Sequence, residues 1–145
     1  MAFRFIPLAL SLMLALGGGV AMAQEAAPAE PTPEQILAGK RIWTDAACFN
    51  CHGTNGQGGS SKDFPHGPSL RQSALDRATI YEVTACGLPG TLMPAWAKGA
   101  YTERGCFGDE PGEVPEGTRV IGAYDEAQMQ SLMDYIYATF RKGKD

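Results

Sequence analysis

Apolar residues recur at helical spacing in three stretches of the chain, and no window alternates with the period of two expected of a half-buried strand. In the first stretch, Ile36, Trp43 and Ala47 form an apolar stripe. Thr32 is its candidate N-cap, Pro33 suits the first helical position, and Gln35 completes a capping box. Gly39 lies one turn before Trp43 and costs about 1 kcal/mol against Ala inside a helix. A glycine there makes sense if a second helix crosses closely at that point. The second stretch, Arg77 to Cys86, places Ile80 and Val83 inward, with Asp76 as a candidate cap and Gly87 as its stop. The third begins around Asp125 with Gln128 as capping partner. It aligns Met129, Leu132, Met133, Ile136 and Phe140 on one face, with Tyr135 beside them. Arg141, Lys142 and Lys144 at its end suit the negative pole of the helix dipole. The pattern predicts an all-α domain with no substantial sheet.

Between these helices the periodicity stops. Gly53 to Ser61 is a Gly/Ser-rich loop that lacks the G-x-x-x-x-G-K-[ST] order of a phosphate-binding loop and follows no strand. Leu88 to Trp96 is punctuated by Pro89 and Pro94. Residues 97–124 form a long irregular insertion with Pro111 and Pro115, longer than ordinary connections and so either functional or an excursion particular to this chain.

The amino terminus has a different character. Arg4 precedes an apolar run from Ile6 to Val20, and Ala21-Met22-Ala23 provides a small-x-small cleavage site. Residues 1–23 are therefore expected to be a signal peptide cut before Gln24, with 24–31 a flexible lead-in and 32–145 one domain. The apolar run is short and glycine-broken for a span of ~20 residues, so no stable membrane insertion is expected after cleavage. The expected compartment is the periplasm. The formal charge is −4, and loss of Arg4 with the signal peptide makes it −5. That balance argues against nucleic acid and anionic lipid, and is compatible with steering toward a basic patch on a protein partner.

The chemistry gathers at Cys48-Phe49-Asn50-Cys51-His52. Two thiols three residues apart project from one side of a helical turn, followed at once by an imidazole. Both sulfurs can then bond to the vinyl groups of one haem while His52 reaches the iron. A redox dithiol and half of a zinc site also use C-x-x-C. The abutting histidine, the absence of a second C-x-x-C, and the downstream Met93-Pro94 favour haem.

Taken in order, Gly39 and Trp43, Cys48-x-x-Cys51-His52-Gly53, Gly67-Pro68-x-Leu70, Met93-Pro94, and a last helix with Leu132 and Tyr135 resemble a class I c-type cytochrome, a small monohaem electron carrier. The resemblance runs from about Ile36 to Phe140 and is interrupted by the insertion. It implies a cytochrome c fold of three to five helices around one covalent haem c, the first and last helices crossing so that Gly39 and Trp43 meet Leu132 and Tyr135. It implies thioether attachment at Cys48 and Cys51, proximal ligation by His52 supported by the Pro68 carbonyl, and distal ligation by Met93. Met129 and Met133, at helical spacing, read as core. His66 reads as a loop histidine on the proximal side. Trp96 and Tyr101 are candidates to line the crevice or reach a propionate.

The implied function is periplasmic electron transfer without transformation of a substrate, by a monomer docking transiently on redox proteins. The donor would be a dehydrogenase, for instance a quinoprotein oxidising alcohols, and the acceptor an oxidase or another cytochrome. A haem subunit of a larger redox complex and a ligand-binding sensor are the alternatives. Cys86 and Cys106 enclose the loop that carries Met93. In an oxidising compartment a disulfide is the economical reading of this pair, one that departs from the resemblance.

Overall fold

The computed structural model describes residues 30–59 and 61–143. The expected signal peptide, most of the lead-in, and Lys144 lie outside them. The chain is mostly helical, with α1 at Pro33–Asp45, α2 at Cys48–His52, α3 at Arg77–Cys86 and α4 at Glu126–Phe140, and with two short strands, β1 at Ala95–Ala97 and β2 at Val120–Tyr124. Among the described residues no helix is long and apolar enough to cross a membrane.

Three helices start where their side chains supply acceptors for otherwise unpaired amides. Thr32 and Gln35 form a reciprocal capping box on α1, Asp76 accepts from the Thr79 amide on α3, and Asp125 and Gln128 cap α4 in the same reciprocal way. Helix α1 packs on α4, and Gly39 is the point of closest approach. A Cβ built on Gly39 would lie 1.8 Å from the Ser131 carbonyl oxygen and 2.7 Å from the Tyr135 Cβ. Trp43 then meets Tyr135 and Phe140, with ring centroids 6.1 and 5.1 Å apart. Ile42, Ile80, Leu132, Met133 and Ile136 complete this core. Helix α3 is tied to α4 by the Arg77–Asp134 ion pair at 2.6 Å and by the Tyr81 hydroxyl, which donates to Glu126. That bond holds the Glu126 carboxyl below its ordinary range, while burial foremost, and then the same bond, pushes the Tyr81 phenol up.

A second, smaller core gathers Ala85, Cys86, Ala95, Ala97, Ala100, Tyr101, Cys106 and Met129. Here the structure departs from the all-helical expectation. β1 and β2 form a two-stranded parallel sheet, Ala95 opposite Val120 and Ala97 opposite Tyr124, with an irregularity between. The sequence carries little sign of it, because β1 is three residues long and most of β2 is exposed on both sides. The insertion is therefore regular at its end, and it works as a brace. The amide of Gly90 donates to Gly117, that of Ala95 to Arg119, and that of Lys98 to Tyr124.

The sulfurs of Cys86 and Cys106 lie 2.07 Å apart with Cα atoms separated by 5.9 Å, inside the range a disulfide spans. Closing a loop with a sequence separation of 20 is worth about 3 kcal/mol in the chain-entropy account. The Cys86→Ser/Cys106→Ser double variant is accordingly expected to unfold at lower denaturant, by about that free energy. Reductant should bring the wild type to the same midpoint and leave the variant where it is. Coincident curves for wild type and variant without reductant would sink the bridge.

Three further expectations need correction. Ala47 does not belong to the helix of Ile36 and Trp43: α1 ends at Asp45, and Ala47 adopts the left-handed conformation (φ 53°) before α2 begins. Tyr101 lies in the second core with its hydroxyl beside that of Thr118, away from the crevice. Arg141 does not sit in solvent at the helix terminus. It is 3 % exposed and its guanidinium turns into the protein.

Candidate functional site

Cys48 and Cys51 stand on the single turn of α2, half-buried, with His52 closing it. The turn is short, so its terminal carbonyls must be satisfied from elsewhere. The following loop does this: the Gly58 amide donates to His52 O at 2.8 Å and the Gly67 amide to Cys51 O at 2.9 Å. Gly67 is required by close approach, since a Cβ there would lie 2.7 Å from Cys51 O and 3.0 Å from His52 Nδ1. The chain thus lies flat against the imidazole, and the next carbonyl, that of Pro68, accepts a hydrogen bond from His52 Nδ1 at 2.9 Å. With Nδ1 as donor, Nε2 keeps its lone pair available for a metal. Trp43 packs beside the ring at 6.4 Å.

These groups face a cavity of about 480 Å³, within the ~300–1,000 Å³ of sites that enclose organic ligands. Cys48, Cys51, His52 and Pro68 form one side. Met93, with Leu88, Leu92 and Pro94, contributes from the Leu88–Pro94 loop, and Leu70, Ile80, Val83, Leu132 and Ile136 add apolar wall. His66 and Trp96 also line it, His66 as an exposed loop residue next to Gly67. Met129 and Met133 are fully buried in the two cores, so among the described residues Met93 is the thioether at this cavity. The low polarity of the surroundings pushes the Cys48 thiol up to about 12, chiefly through burial. Leu92 is 72 % exposed and Leu75 47 %, both on the cavity lining, which leaves apolar surface open at its rim.

The Met93 loop is rigid through its own bonds. The Leu88 amide donates to Met93 O, the Thr91 hydroxyl to Leu88 O, and the Met93 amide to the Thr91 hydroxyl. The insertion and the Cys86–Cys106 pair hold it from outside.

The donor set fits a haem: two thiols and an imidazole on one turn, a thioether on a separate braced loop, and an apolar cavity between. A zinc site would gather its ligands around a point, with Zn–S near ~2.3 Å, rather than line an apolar chamber. The one cluster of three ligand-type groups among the described residues is Glu82, Cys86 and Cys106, away from this cavity, and its two sulfurs are at bonding distance.

Residues 34–105 match the family described as cytochrome C oxidase, cbb3-type, subunit III. The match takes in α1, the Cys48–His52 turn, the Pro68 loop and Met93, and ends before Cys106 and α4. No curated protein and no solved structure matches the chain. The matched stretch and the site it contains agree in kind, and residues 34–105 belong to a c-type cytochrome domain.

Proposed function

We propose that this protein is a one-electron carrier holding a single haem c, bonded covalently at Cys48 and Cys51 and ligated by His52 and Met93. The observation that carries this reading is the convergence of both thiols, an Nδ1-anchored imidazole and the Met93 thioether on one apolar cavity. When bound, the haem supplies an iron that gains and loses one electron. The protein's part is to keep that exchange low in reorganisation. The Pro68 carbonyl fixes the tautomer and plane of His52 and strengthens it as a donor. The Met93 sulfur is soft and uncharged, which favours ferrous iron and raises the potential. Leu70, Ile80, Val83, Leu132 and Ile136 exclude water. The reading is transfer without transformation of a substrate, as c-type cytochrome domains typically perform.

The carrier is proposed to work in the periplasm as a monomer, after removal of residues 1–23. It would meet redox partners through small contacts at the exposed rim near Leu92, and a quinoprotein dehydrogenase is one donor compatible with the acidic charge. A second reading has one specific support, the description of the matching family: a haem-bearing subunit of an oxidase complex. Gel filtration of the native protein separates the two, since a mobile carrier elutes alone.

The test of attachment is mass spectrometry of protein made with a haem-attachment system. Wild type is expected to gain the mass of one haem that survives acid-acetone extraction, and Cys48→Ala/Cys51→Ala to gain none. Wild type without that mass would overturn the proposal.

A further inference from the structure

Arg141, the residue that ends α4, is almost wholly buried, and its guanidinium hydrogen bonds are to backbone rather than to a carboxylate. The acceptors are three backbone carbonyls of one segment. Nη1 donates to Leu70 O at 2.8 Å and Ser73 O at 3.0 Å, and Nη2 donates to Leu75 O at 2.6 Å. The guanidinium also lies over the Tyr137 ring, 5.0 Å from its centroid, an arrangement that offsets part of its desolvation. Burying a charge this way is costly unless its donors are used; both Nη atoms are used, while the buried Nε has no partner among the described residues, so the fork's two ends hold the segment.

The segment held is the continuation of the Pro68 loop. Leu70, Ser73 and Leu75 all line the cavity, and Pro68 lies two residues before Leu70. Between them, the Ser69 hydroxyl donates to Gly56 O at 3.4 Å and the Arg71 amide to the same oxygen at 3.2 Å. A continuous set of bonds therefore runs from the end of α4, through Arg141 and residues 70–75, to Pro68 and on to His52 Nδ1.

We propose that Arg141 is a positioning residue for the proximal ligand: it fixes the 68–75 segment, and through the Pro68 carbonyl it sets the orientation and donor strength of His52. The proposal rests on the haem reading above. A well-aligned Nδ1–H···O=C bond makes the imidazole more basic and favours ferric iron; a slack one shifts the balance toward ferrous. Arg141→Lys isolates this effect. It keeps the positive charge, so a purely electrostatic influence on the iron is preserved. A compact ammonium cannot span the carbonyls that the fork reaches.

The experiment compares haem-loaded wild type and Arg141→Lys by redox titration, by the hyperfine-shifted ring resonances of His52 in the ferric protein, and by thermal unfolding. The expected result is a shift of the ferric/ferrous equilibrium constant toward ferrous by roughly threefold or more, together with displaced His52 resonances. A variant that is less stable but has wild-type equilibrium constant and His52 resonances overturns the proposal, because a merely structural role predicts that outcome. If Arg141→Lys does not fold, Tyr137→Leu, which removes the ring under the guanidinium, is read by the same criteria and decides in the same way. Wild type lacking haem would instead overturn the functional reading itself, and that failure is visible before any variant is made.

Discussion

Gly39→Ala is expected to destabilise the protein by about 3 kcal/mol or more, at the upper end of overpacking substitutions. Two effects oppose each other. Alanine is the better helix former by about 1 kcal/mol, and α1 has no other reason to reject it at this position. The added methyl, however, would sit 1.8 Å from a backbone oxygen of α4, which cannot swing aside as a side chain would. The helices must separate, and with them the contacts of Trp43 with Tyr135 and Phe140. Because Trp43 also packs beside His52, the separation should reach the site. Denaturant unfolding and the fraction of haem-loaded protein recovered measure both consequences. An unchanged or higher midpoint would mean that the close approach at Gly39 is wrong.

Met93→His is expected to lower the reduction potential on the order of a few tenths of a volt, a fraction of the ~0.8 V that axial ligands span. Imidazole favours ferric iron where a thioether favours ferrous. The loop is suited to testing this because its internal bonds involve Leu88, Thr91 and the Met93 backbone, none of which the substitution removes. In the companion variant Met93→Ala, carbon monoxide should bind the reduced protein rapidly, whereas wild type should bind it slowly. A potential indifferent to both substitutions would remove Met93 from the iron.

Much of the architecture could be read from residue chemistry because its signals are local. Thr32 with Gln35, Asp76, and Asp125 with Gln128 mark helix starts within a few residues of the groups they cap, and Gly39 betrays a contact by its cost. The site was legible for a similar reason: Cys48, Cys51 and His52 carry their geometry in their spacing. What was not legible depends on distant partners. β1 and β2 pair across more than twenty residues, and neither alternates, so each strand is defined only by the other. Arg141 looks like any cation closing a helix, and nothing near it in sequence foretells that its partners are the carbonyls of Leu70, Ser73 and Leu75. The break at Ala47 is similarly silent, since alanine, unlike Gly, Asn or Asp, does not signal a positive φ.

The pairing of α1 with α4 also has a meaning in time. A ribosome delivers the chain from its amino end, so Cys48, Cys51 and His52 emerge well before Leu132, Ile136 and Arg141. Until those last residues arrive, the cavity lacks one wall and α1 lacks its partner. The thiols therefore spend their first moments in an open chain, reachable by any enzyme that must work on them. The closing of the fold becomes the step that narrows their accessibility.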